Sequence, residues 1–317
     1  ASGRSSRRSA VPEPSLLGRS HPIVTDGGLG TLLESMGVDV RGPAWSAAAL
    51  HDDPGAIRAA HLAFFEAGAD LAVSASYQIS FDGPAAAGAT PDETQLAIIA
   101  STRLAREAAT IAEDRDGRAR LVAASVGPYG ASLADGSEYT GDYGLTIAEL
   151  RAWHRPRLQA LAATAPDLLA IETVPSAAEA EALLVEVAEL GLPAWLSMTA
   201  DGALTRTGER LDEVFTMAAE VPTVIAVGAN CCSRAGIEAA IAAASVAVPG
   251  LQRVVSPNGP GIWDAAARAW LPEAAPPDPL ASATAWLAAG VTIIGGCCRV
   301  TPAHIRSLRA RVDATIP

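Results

Sequence analysis

Short apolar runs recur along the chain, and each of them ends in glycine, a small polar residue or an acid. Eight such runs are present: Pro22–Thr25, Asp70–Ser74, Leu121–Val126, Leu168–Ile171, Ala194–Met198, Val224–Val227, Arg253–Ser256 and Val291–Ile294. Near-continuous apolar runs of this length are typical of parallel strands that are covered on both faces. The pattern therefore predicts eight buried parallel strands.

The stretches between these runs are rich in Ala, Leu and Glu, which favours helices. The predicted helices are Pro54–Ala67, Pro91–Ala112, Thr146–Thr164, Ser176–Leu190, Arg206–Glu220, Ser233–Ala247 and Leu280–Ala289. Asp53 before the first helix and Ser176 three residues before Glu179 are capping signals. Eight strand–helix units predict an α/β fold, a single (β/α)8 barrel of the TIM type. An open doubly wound sheet is the alternative, but no G-x-G-x-x-G motif follows the first run.

Half of the residues (50%) are hydrophobic and the mean hydropathy is +0.23, which is a globular composition. Residues 1–20 are rich in Arg and Ser and are predicted to be a disordered tail, while residues 21–317 form the barrel domain. The Pro-rich segment Leu271–Pro279 is predicted to be a surface loop. No signal for export is present, so we expect a cytoplasmic protein whose cysteines are reduced.

The charge and the missing residue types exclude several functions. The formal net charge is −12 without a basic stripe, so we expect no nucleic-acid partner, and no apolar run is long enough for a membrane span. All 23 basic residues are Arg, and a chain without Lys cannot form a Schiff base or a Walker A nucleotide site. The five His residues form no metal-binding pair, which disfavours zincin-like sites.

All four cysteines follow two of the predicted strands, at the barrel end that carries the active site in such folds. Thiolate-rich sites select zinc, and three protein ligands with an open fourth position indicate a catalytic site. Cys297 and Cys298 can share one metal only where the strand breaks, which we expect at Gly295 and Gly296. Of Cys231 and Cys232, only one is expected to bind. Buried apolar cysteines and a redox disulfide are the alternatives.

Two acids follow predicted strands one and four, and both are expected to face the barrel mouth. Asp26 and Glu172 can together bind an ammonium group, and the amides of Gly27 and Gly28 can hold a carboxylate. This arrangement suits a small zwitterionic substrate. The alternative for Asp26 is a helix cap or a turn residue.

Motifs spread over residues 21–310 resemble the homocysteine S-methyltransferase family, whose members use S-methylmethionine or betaine. The motifs are Thr25–Gly28, Gly30–Thr31, Trp45–Ala47, Ser76–Gln78, Gly127–Pro128, Glu172–Thr173, Gly228–Cys231, Pro257–Asn258 and Gly295–Arg299. The resemblance implies a zinc-bearing barrel that transfers a methyl group to homocysteine and produces methionine. Its partners would be homocysteine and a methyl-sulfonium donor, with Zn2+ as the cofactor.

Carried over position by position, the resemblance implies that Cys231, Cys297 and Cys298 bind the zinc. Asp26 and Glu172 would hold the amino group of homocysteine, and Ser74 would lie near the amino acid. Asn258 is also predicted to bind substrate, although the run 256–260, Ser-Pro-Asn-Gly-Pro, departs from the more usual Tyr-Pro-Asn-Ser-Gly. Cys232 is an extra thiol beside an expected ligand.

The resemblance favours a sulfonium donor, with S-methylmethionine ahead of S-adenosylmethionine, because the chain lacks the extension of the betaine-using relatives. Transfer by direct displacement requires no general base. Trp45, Tyr77 and Trp263 can face the sulfonium or be ordinary core or rim aromatics. Arg299 can stabilise the cysteine cluster or pair on the surface, and His304 is predicted to be structural. Another acceptor such as selenohomocysteine, or a zinc- or redox-sensing protein without turnover, is the alternative function.

Overall fold

The computed structural model describes residues 21–40, 42, 46–83, 86, 88–264, 269–271 and 278–315. The predicted tail 1–20 and most of the predicted loop Leu271–Pro279 lie outside the described residues. None of the described helices is long and apolar enough to cross a membrane.

Eight parallel strands form the barrel, and four short strands make two separate hairpins among the described residues. The strands are β1 Ile23–Val24, β2 Leu71–Val73, β3 Leu121–Val126, β4 Leu168–Val174, β5 Ala194–Met198, β6 Ala200–Asp201, β7 Leu204–Thr205, β8 Val224–Asn230, β9 Gln252–Ser256, β10 Ile262–Asp264, β11 Ala269–Leu271 and β12 Ile293–Ile294. The large sheet has the order β1-β12-β9-β8-β5-β4-β3-β2. A parallel bridge between Thr25 and Leu71 joins its two edges. The structure thus confirms the (β/α)8 barrel and all eight predicted strands.

Helices lie between the strands and cover the outside of the sheet. They are α1 Leu29–Ser35, α2 Ser46–Asp52, α3 Pro54–Glu66, α4 Pro91–Asp116, α5 Tyr129–Leu133, α6 Ile147–Ala163, α7 Ala177–Leu190, α8 Leu211–Ala219, α9 Arg234–Ala247, α10 Ala283–Ala288 and α11 Pro302–Asp313. A 3-10 helix, Ser137–Tyr139, precedes α6. The short helices α2 and α5 were not predicted.

The predicted capping signals are confirmed in the structure. The Asp53 side chain accepts a hydrogen bond from the amide of Ala56, and the Ser176 side chain accepts one from the amide of Glu179. These bonds satisfy amides that have no partner inside the helix. The predicted helix Arg206–Glu220 is wrong in its first part, because α8 begins at Leu211. The residues before it form a turn after β7, and Arg210 makes an antiparallel bridge with Leu204.

Two apolar clusters stabilise the barrel. The larger one lies between the sheet and the helices, and the smaller one fills the barrel interior with residues such as Ile23, Leu168 and Trp195. Alternate residues of each strand point into one cluster or the other, as the near-continuous apolar runs require. This packing fixes the strand ends that carry the candidate site.

Candidate active site

A cavity opens at the C-terminal end of the barrel, and residues at or after the ends of all eight barrel strands line it. Its volume is about 1130 Å³ including the open mouth. Trp195, a residue of the interior core, also lines the cavity, so the cavity reaches down to the packed centre of the barrel. This is the end at which barrel enzymes carry their chemistry.

Three sulfur atoms meet in this cavity. The Sγ atoms of Cys231, Cys297 and Cys298 lie within 4.8 Å of one another, and Cys231 and Cys297 are joined by a disulfide in the structure. Backbone hydrogen bonds hold both segments, since Cys231 N donates to Ser256 O (3.2 Å) and Cys297 N donates to Pro257 O (2.8 Å). The structure therefore brings together the three cysteines that were predicted as ligands.

The sequence suggested that Gly295 and Gly296 provide backbone freedom, but in the structure they are needed for close packing. Neither Gly295 nor Gly296 adopts the left-handed backbone conformation. A side chain on Gly295 would overlap Thr25, and one on Gly296 would overlap Val300. The glycines are required by close packing beside the first strand, which places the turn with Cys297 and Cys298 directly over the barrel mouth.

Cys232 belongs neither to this group of sulfurs nor to the described cavity lining. It is buried in the larger apolar cluster, and burial raises the pKa of its thiol to about 11. The separation from Cys231 follows from the backbone, because Cys231 adopts a left-handed conformation with φ 50° directly after β8. This agrees with the prediction that only one of the two adjacent cysteines faces the site.

The three grouped cysteines fit a zinc ion by their chemistry. Three thiolates with an open fourth position are a donor set that zinc prefers, and the cluster lies beside the cavity. Burial raises the pKa of the Cys298 thiol to about 12, and the carboxylates of Glu172 and Glu138 act in the same direction. A cation is therefore needed at this position to hold the sulfur as a thiolate at neutral pH.

Both predicted acids line the cavity and interact with each other. Asp26 Oδ2 accepts a hydrogen bond from Val73 N (2.9 Å), and Glu172 accepts one from the Ser125 hydroxyl. Burial raises the pKa of Asp26 well above its ordinary value, and the charge of Glu172 adds to this effect. Burial likewise raises the pKa of Glu172 to about 7. Two such carboxyl groups favour a cationic ligand, which would restore the ionised forms.

Asn230 connects the strand with Glu172 to the strand with Cys231. Its Oδ1 accepts hydrogen bonds from Thr173 N (2.8 Å) and from the Ser197 hydroxyl (2.7 Å), while its Nδ2 donates to Thr173 Oγ1 (2.8 Å). Thr173 has φ 62°, a conformation that is costly for a β-branched residue. The Asn230 contacts therefore hold a strained residue next to Glu172, as is common at functional sites.

Ser74 lies in the cavity wall within a chain of hydroxyl groups. Its Oγ is 2.8 Å from Ser76 Oγ and accepts a hydrogen bond from Ser125 N (3.2 Å). Because Ser125 also donates to Glu172, Ser74 is linked through one residue to the acid. The structure thus places the predicted Ser74 with Asp26 and Glu172.

The predicted carboxylate-binding amides are only partly available. Gly27 and Gly28 both line the cavity, but Gly28 N already donates to Val300 O (3.0 Å). Asn258 is not among the described residues that line the cavity. Its neighbours instead support the cysteines, since Pro257 O accepts from Cys297 N and Gly259 N donates to Cys298 O (2.7 Å).

Of the three aromatic candidates, Tyr77 lines the cavity. Trp45 and the side chain of Trp263 lie outside the described residues. Arg299 is not part of the cavity lining, and its amide donates to Thr31 Oγ1 (2.9 Å). His304 accepts a hydrogen bond from Thr301 N (3.1 Å) and caps α11, as a structural role requires.

The sequence did not predict the buried polar residues whose hydrogen bonds hold the loops of the cavity wall in place. Buried Arg157 donates to Gly127 O (3.0 Å) and to Tyr77 O (3.3 Å), which ties the ends of β3 and β2 together. Glu179 accepts from Tyr129 N (2.5 Å) and lies 2.9 Å from His154 Nε2. These residues lie on helices α6 and α7, where an isolated charged residue gives no signal of burial.

Glu138 and Tyr139 also line the cavity and were not predicted. They lie on the 3-10 helix Ser137–Tyr139, well after the end of β3 at Val126. Reading only the residues directly after each strand could not find them. The available signal is the length of the segment between β3 and α6, because long loops at this end of a barrel commonly carry function.

Comparisons with known proteins agree with this geometry. A family model described as homocysteine S-methyltransferase matches residues 23–312. The chain is similar to homocysteine S-methyltransferase 4 of Zea mays, with 41% identity over 91% of this chain and 89% of the relative. It is also similar to selenocysteine Se-methyltransferase of Brassica oleracea var. italica, with 36% identity over 91% of this chain and 88% of the relative.

Among solved structures, the chain is similar to the homocysteine methyltransferase MmuM of Escherichia coli. Its metallated form superposes with a TM-score of 0.83 and 38% identity, covering 95% of this chain and 100% of that chain. An oxidised form of the same protein superposes with a TM-score of 0.82. The similarity therefore extends over the whole barrel.

Proposed function

The chain belongs to the homocysteine S-methyltransferase family, and on that premise we propose that it is zinc-dependent and uses a sulfonium methyl donor. It is a methyltransferase that transfers a methyl group to homocysteine and produces methionine. The observation that carries the zinc proposal is the group of three cysteine sulfurs beside two buried carboxyl groups in one cavity.

Cys231, Cys297 and Cys298 would hold the metal after reduction of the Cys231–Cys297 disulfide. A zinc ion held there would keep the homocysteine sulfur deprotonated and nucleophilic near neutral pH. Gly259 and Pro257 keep Cys297 and Cys298 in place through backbone hydrogen bonds. Cys232 faces the apolar cluster and takes no part.

Asp26 and Glu172 would bind the ammonium group of homocysteine. The Val73 amide and the Ser125 hydroxyl orient the two carboxyl groups, and an ammonium ion would lower the pKa values that burial raises. Ser74 would contact the amino acid from the adjacent wall, and Gly27 would approach its carboxylate. These contacts orient the sulfur toward the donor and reduce the entropic cost of the reaction.

In the transfer step, the homocysteine thiolate attacks the methyl carbon of the donor. A new S–C bond forms as the S–CH3 bond of the sulfonium breaks, and the donor leaves as a neutral thioether. Opposite charges disappear in this step, so a cavity that excludes water favours it. No proton is transferred, and no general base is required.

The test is methionine formation by reduced, zinc-loaded protein with homocysteine, in which S-methylmethionine, S-adenosylmethionine and betaine are supplied separately. We expect turnover with a sulfonium and none with betaine. Removal of zinc with a chelator should abolish turnover and leave the barrel folded. Turnover that is unaffected by chelation would overturn the zinc proposal.

A selenium acceptor is the second candidate, because one relative is named for Se-methylation of selenocysteine. Sulfur and selenium differ little in size, and the same cavity residues would bind either amino acid. Comparing kcat/KM for homocysteine, selenohomocysteine and selenocysteine decides between them. We also propose a cytoplasmic location, since the three cysteines bind metal only when reduced.

A further inference from the structure

Gln78 lines the cavity, and the proposed function leaves it unused. The residue is only 7% exposed, and its side chain makes no hydrogen bond to another described residue. Neither amide atom is fully buried, so the amide group contacts the open space of the cavity. A ligand that fills this space removes water from the amide and must replace the lost hydrogen bonds. Gln78 therefore indicates a polar group on the ligand.

The second amide side chain in the described cavity wall is Asn230, and its contacts are different. Its Oδ1 accepts hydrogen bonds from Thr173 N and Ser197 Oγ, and its Nδ2 donates to Thr173 Oγ1. Asn230 therefore serves the protein scaffold. The Gln78 amide has no such contact with a described residue, which leaves its hydrogen bonds to a ligand.

The turn that carries Gln78 is fixed on both sides. Ser76 Oγ donates a hydrogen bond to Ser125 O on β3 (2.8 Å), and Ile79 N donates one to Ser76 O (3.1 Å). The Ile79 side chain is buried in the larger apolar cluster. Because the flanking residues are held in place, little backbone entropy is lost when a ligand binds to Gln78.

The segment that ends with Gln78 also contacts the two acids. Val73 N donates to Asp26 Oδ2 (2.9 Å), and Ser74 is linked through one residue to Glu172. In an α-amino acid, a single carbon separates the ammonium group from the carboxylate. A residue that binds the carboxylate must therefore lie close to the residues that bind the ammonium group, and the short segment 73–78 meets this requirement.

A carboxylate in this cavity requires neutral hydrogen-bond donors. The described lining residues include no Arg, Lys or His, so none of them offers a positive charge to an anion. The amide of Gln78 carries two N–H donors, and carboxylate oxygens are pure acceptors. Hydrogen bonds to an ionised group are stronger than those between neutral groups. A carboxylate is therefore the ligand group that suits Gln78 best.

We propose that Gln78 binds the α-carboxylate of an amino-acid substrate through its side-chain amide. This inference rests on the proposed function, in which homocysteine and S-methylmethionine both carry this group. The carboxylate keeps its charge and its place while the methyl group moves, so the contact is equally strong in the ground state and in the transition state. Its loss should raise KM and leave kcat unchanged.

The experiment compares the reduced, zinc-loaded wild-type protein with Gln78→Met, which keeps the length of the side chain and removes its N–H donors. We expect the KM for one of the two amino acids to rise by about 10- to 150-fold, the loss typical of one hydrogen bond to a charged group. The other KM, kcat and the zinc content should not change. The amino acid whose KM rises is the one that Gln78 binds.

The matched control is Gln159→Met, since Gln159 is exposed on α6, and it should behave as wild type. Unchanged KM values for both amino acids in Gln78→Met, or an equal rise in both, would overturn the inference. If Gln78→Met does not fold, Gln78→Glu at pH 8 gives the same test with the original shape, because its carboxylate repels that of the substrate. Wild-type KM values in Gln78→Glu would also overturn the inference.

Substrate analogues without the carboxylate separate binding from a general structural defect. These analogues are aminopropanethiol for homocysteine and aminopropyl-dimethylsulfonium for S-methylmethionine. For the affected substrate, Gln78→Met should lower kcat/KM of the amino acid and leave that of the analogue unchanged. An equal loss with the amino acid and its analogue would contradict a contact with the carboxylate.

Calorimetric titration distinguishes failure of this inference from failure of the proposed function. Binding of homocysteine or S-methylmethionine that is weaker in Gln78→Met than in wild type supports the inference even if no methionine forms. Methionine formation with equal binding to both proteins refutes the inference and leaves the proposed function intact. Absence of binding of either amino acid to the wild-type protein refutes the inference as well.

Discussion

The two ends of the barrel hold buried acids in opposite ways. At the N-terminal end, Asp70 accepts hydrogen bonds from Arg118 Nη2 (2.9 Å), Arg309 Nη1 (2.9 Å) and the amide of Val24 (3.0 Å). At the C-terminal end, Asp26 and Glu172 face the cavity, and their described hydrogen bonds come from a backbone amide and a hydroxyl group.

Asp167, which is only partly buried, repeats the arrangement of the N-terminal end. It accepts hydrogen bonds from Arg106 Nη2 and from the amide of Val122, both at 2.7 Å. An acid that is already paired with Arg cannot be removed without leaving that Arg unpaired, and it has no charge to offer a ligand. An acid whose pKa burial raises gains from a cationic ligand instead. The comparison teaches that the partner of a buried acid, and not its burial, distinguishes structural acids from binding acids.

The largest effect on activity should come from replacing one of the three cysteines whose sulfurs lie together in the cavity. Cys298→Ser is expected to abolish zinc binding and turnover without unfolding the protein, because the fold rests on the apolar clusters. Metal content, methionine formation and thermal unfolding measure the three outcomes. Cys232→Ser is the matched control and should keep zinc and activity. Unfolding of Cys298→Ser would show that the cavity end, too, is needed for stability.

Asp70→Asn should lower the free energy of unfolding and leave methyl transfer unchanged. The substitution leaves buried Arg309 with only the exposed Asp313 (3.2 Å) as a charge partner, and breaking a buried pair in this way costs about 3–5 kcal/mol of the free energy of unfolding. Urea unfolding measures this loss, and kcat/KM of the folded protein should equal that of wild type. A reduced kcat/KM of the folded variant would contradict the conclusion that the acids of the N-terminal end serve stability alone.

Glu172→Gln should have the opposite effects, with reduced activity and unchanged stability. Loss of the carboxylate that pairs with the substrate ammonium is expected to lower kcat/KM for homocysteine by about 10- to 150-fold, without a change in the donor KM. The free energy of unfolding at pH 8 should not fall, because the variant no longer buries an ionised carboxyl group. A loss of stability similar to that of Asp70→Asn would contradict the comparison.

The smallest effect concerns the pH dependence of stability without homocysteine. The pKa of Glu172 is raised from 4.5 to about 7 in the folded protein, so the folded state binds this proton more tightly than the unfolded chain. Its stabilising contribution is complete below pH 4.5 and is lost as the pH rises through about 7. The difference in Tm between wild type and Glu172→Gln should change across this window and be constant above it. A constant difference at every pH would exclude the raised pKa.

Much of the fold was predictable because it depends on local patterns. The runs Leu121–Val126 and Ala194–Met198 are strands with the predicted bounds, since continuous apolar residues suit a strand covered on both faces. The helix predicted from Arg206 failed because residues 204–210 form a hairpin, although their composition also suits a helix. Composition alone does not separate the two when a turn pairs neighbouring residues.

The candidate site was predictable where a functional residue directly follows a strand. Asp26 and Cys231 follow β1 and β8, Glu172 lies near the C-terminal end of β4, and a parallel barrel places all such positions at one end. Glu138 and Arg157 were missed because their positions depend on the path of a long loop and on the face of a helix. Glu179 was interpreted as part of a helix cap, yet its side chain contacts Tyr129 N and His154 on other elements.

The sequence by itself determined the barrel, its order of strands along the chain and the group of thiols at two strand ends. Only the tertiary structure decided which of Cys231 and Cys232 faces the cavity, which buried acids have Arg partners, and that Glu138 joins the cavity wall. The physical reason is the range of the interactions. Strand and helix periodicity arises between near neighbours, whereas the contact of Thr31 with Arg299 and that of Asn230 with Thr173 join residues far apart in the chain.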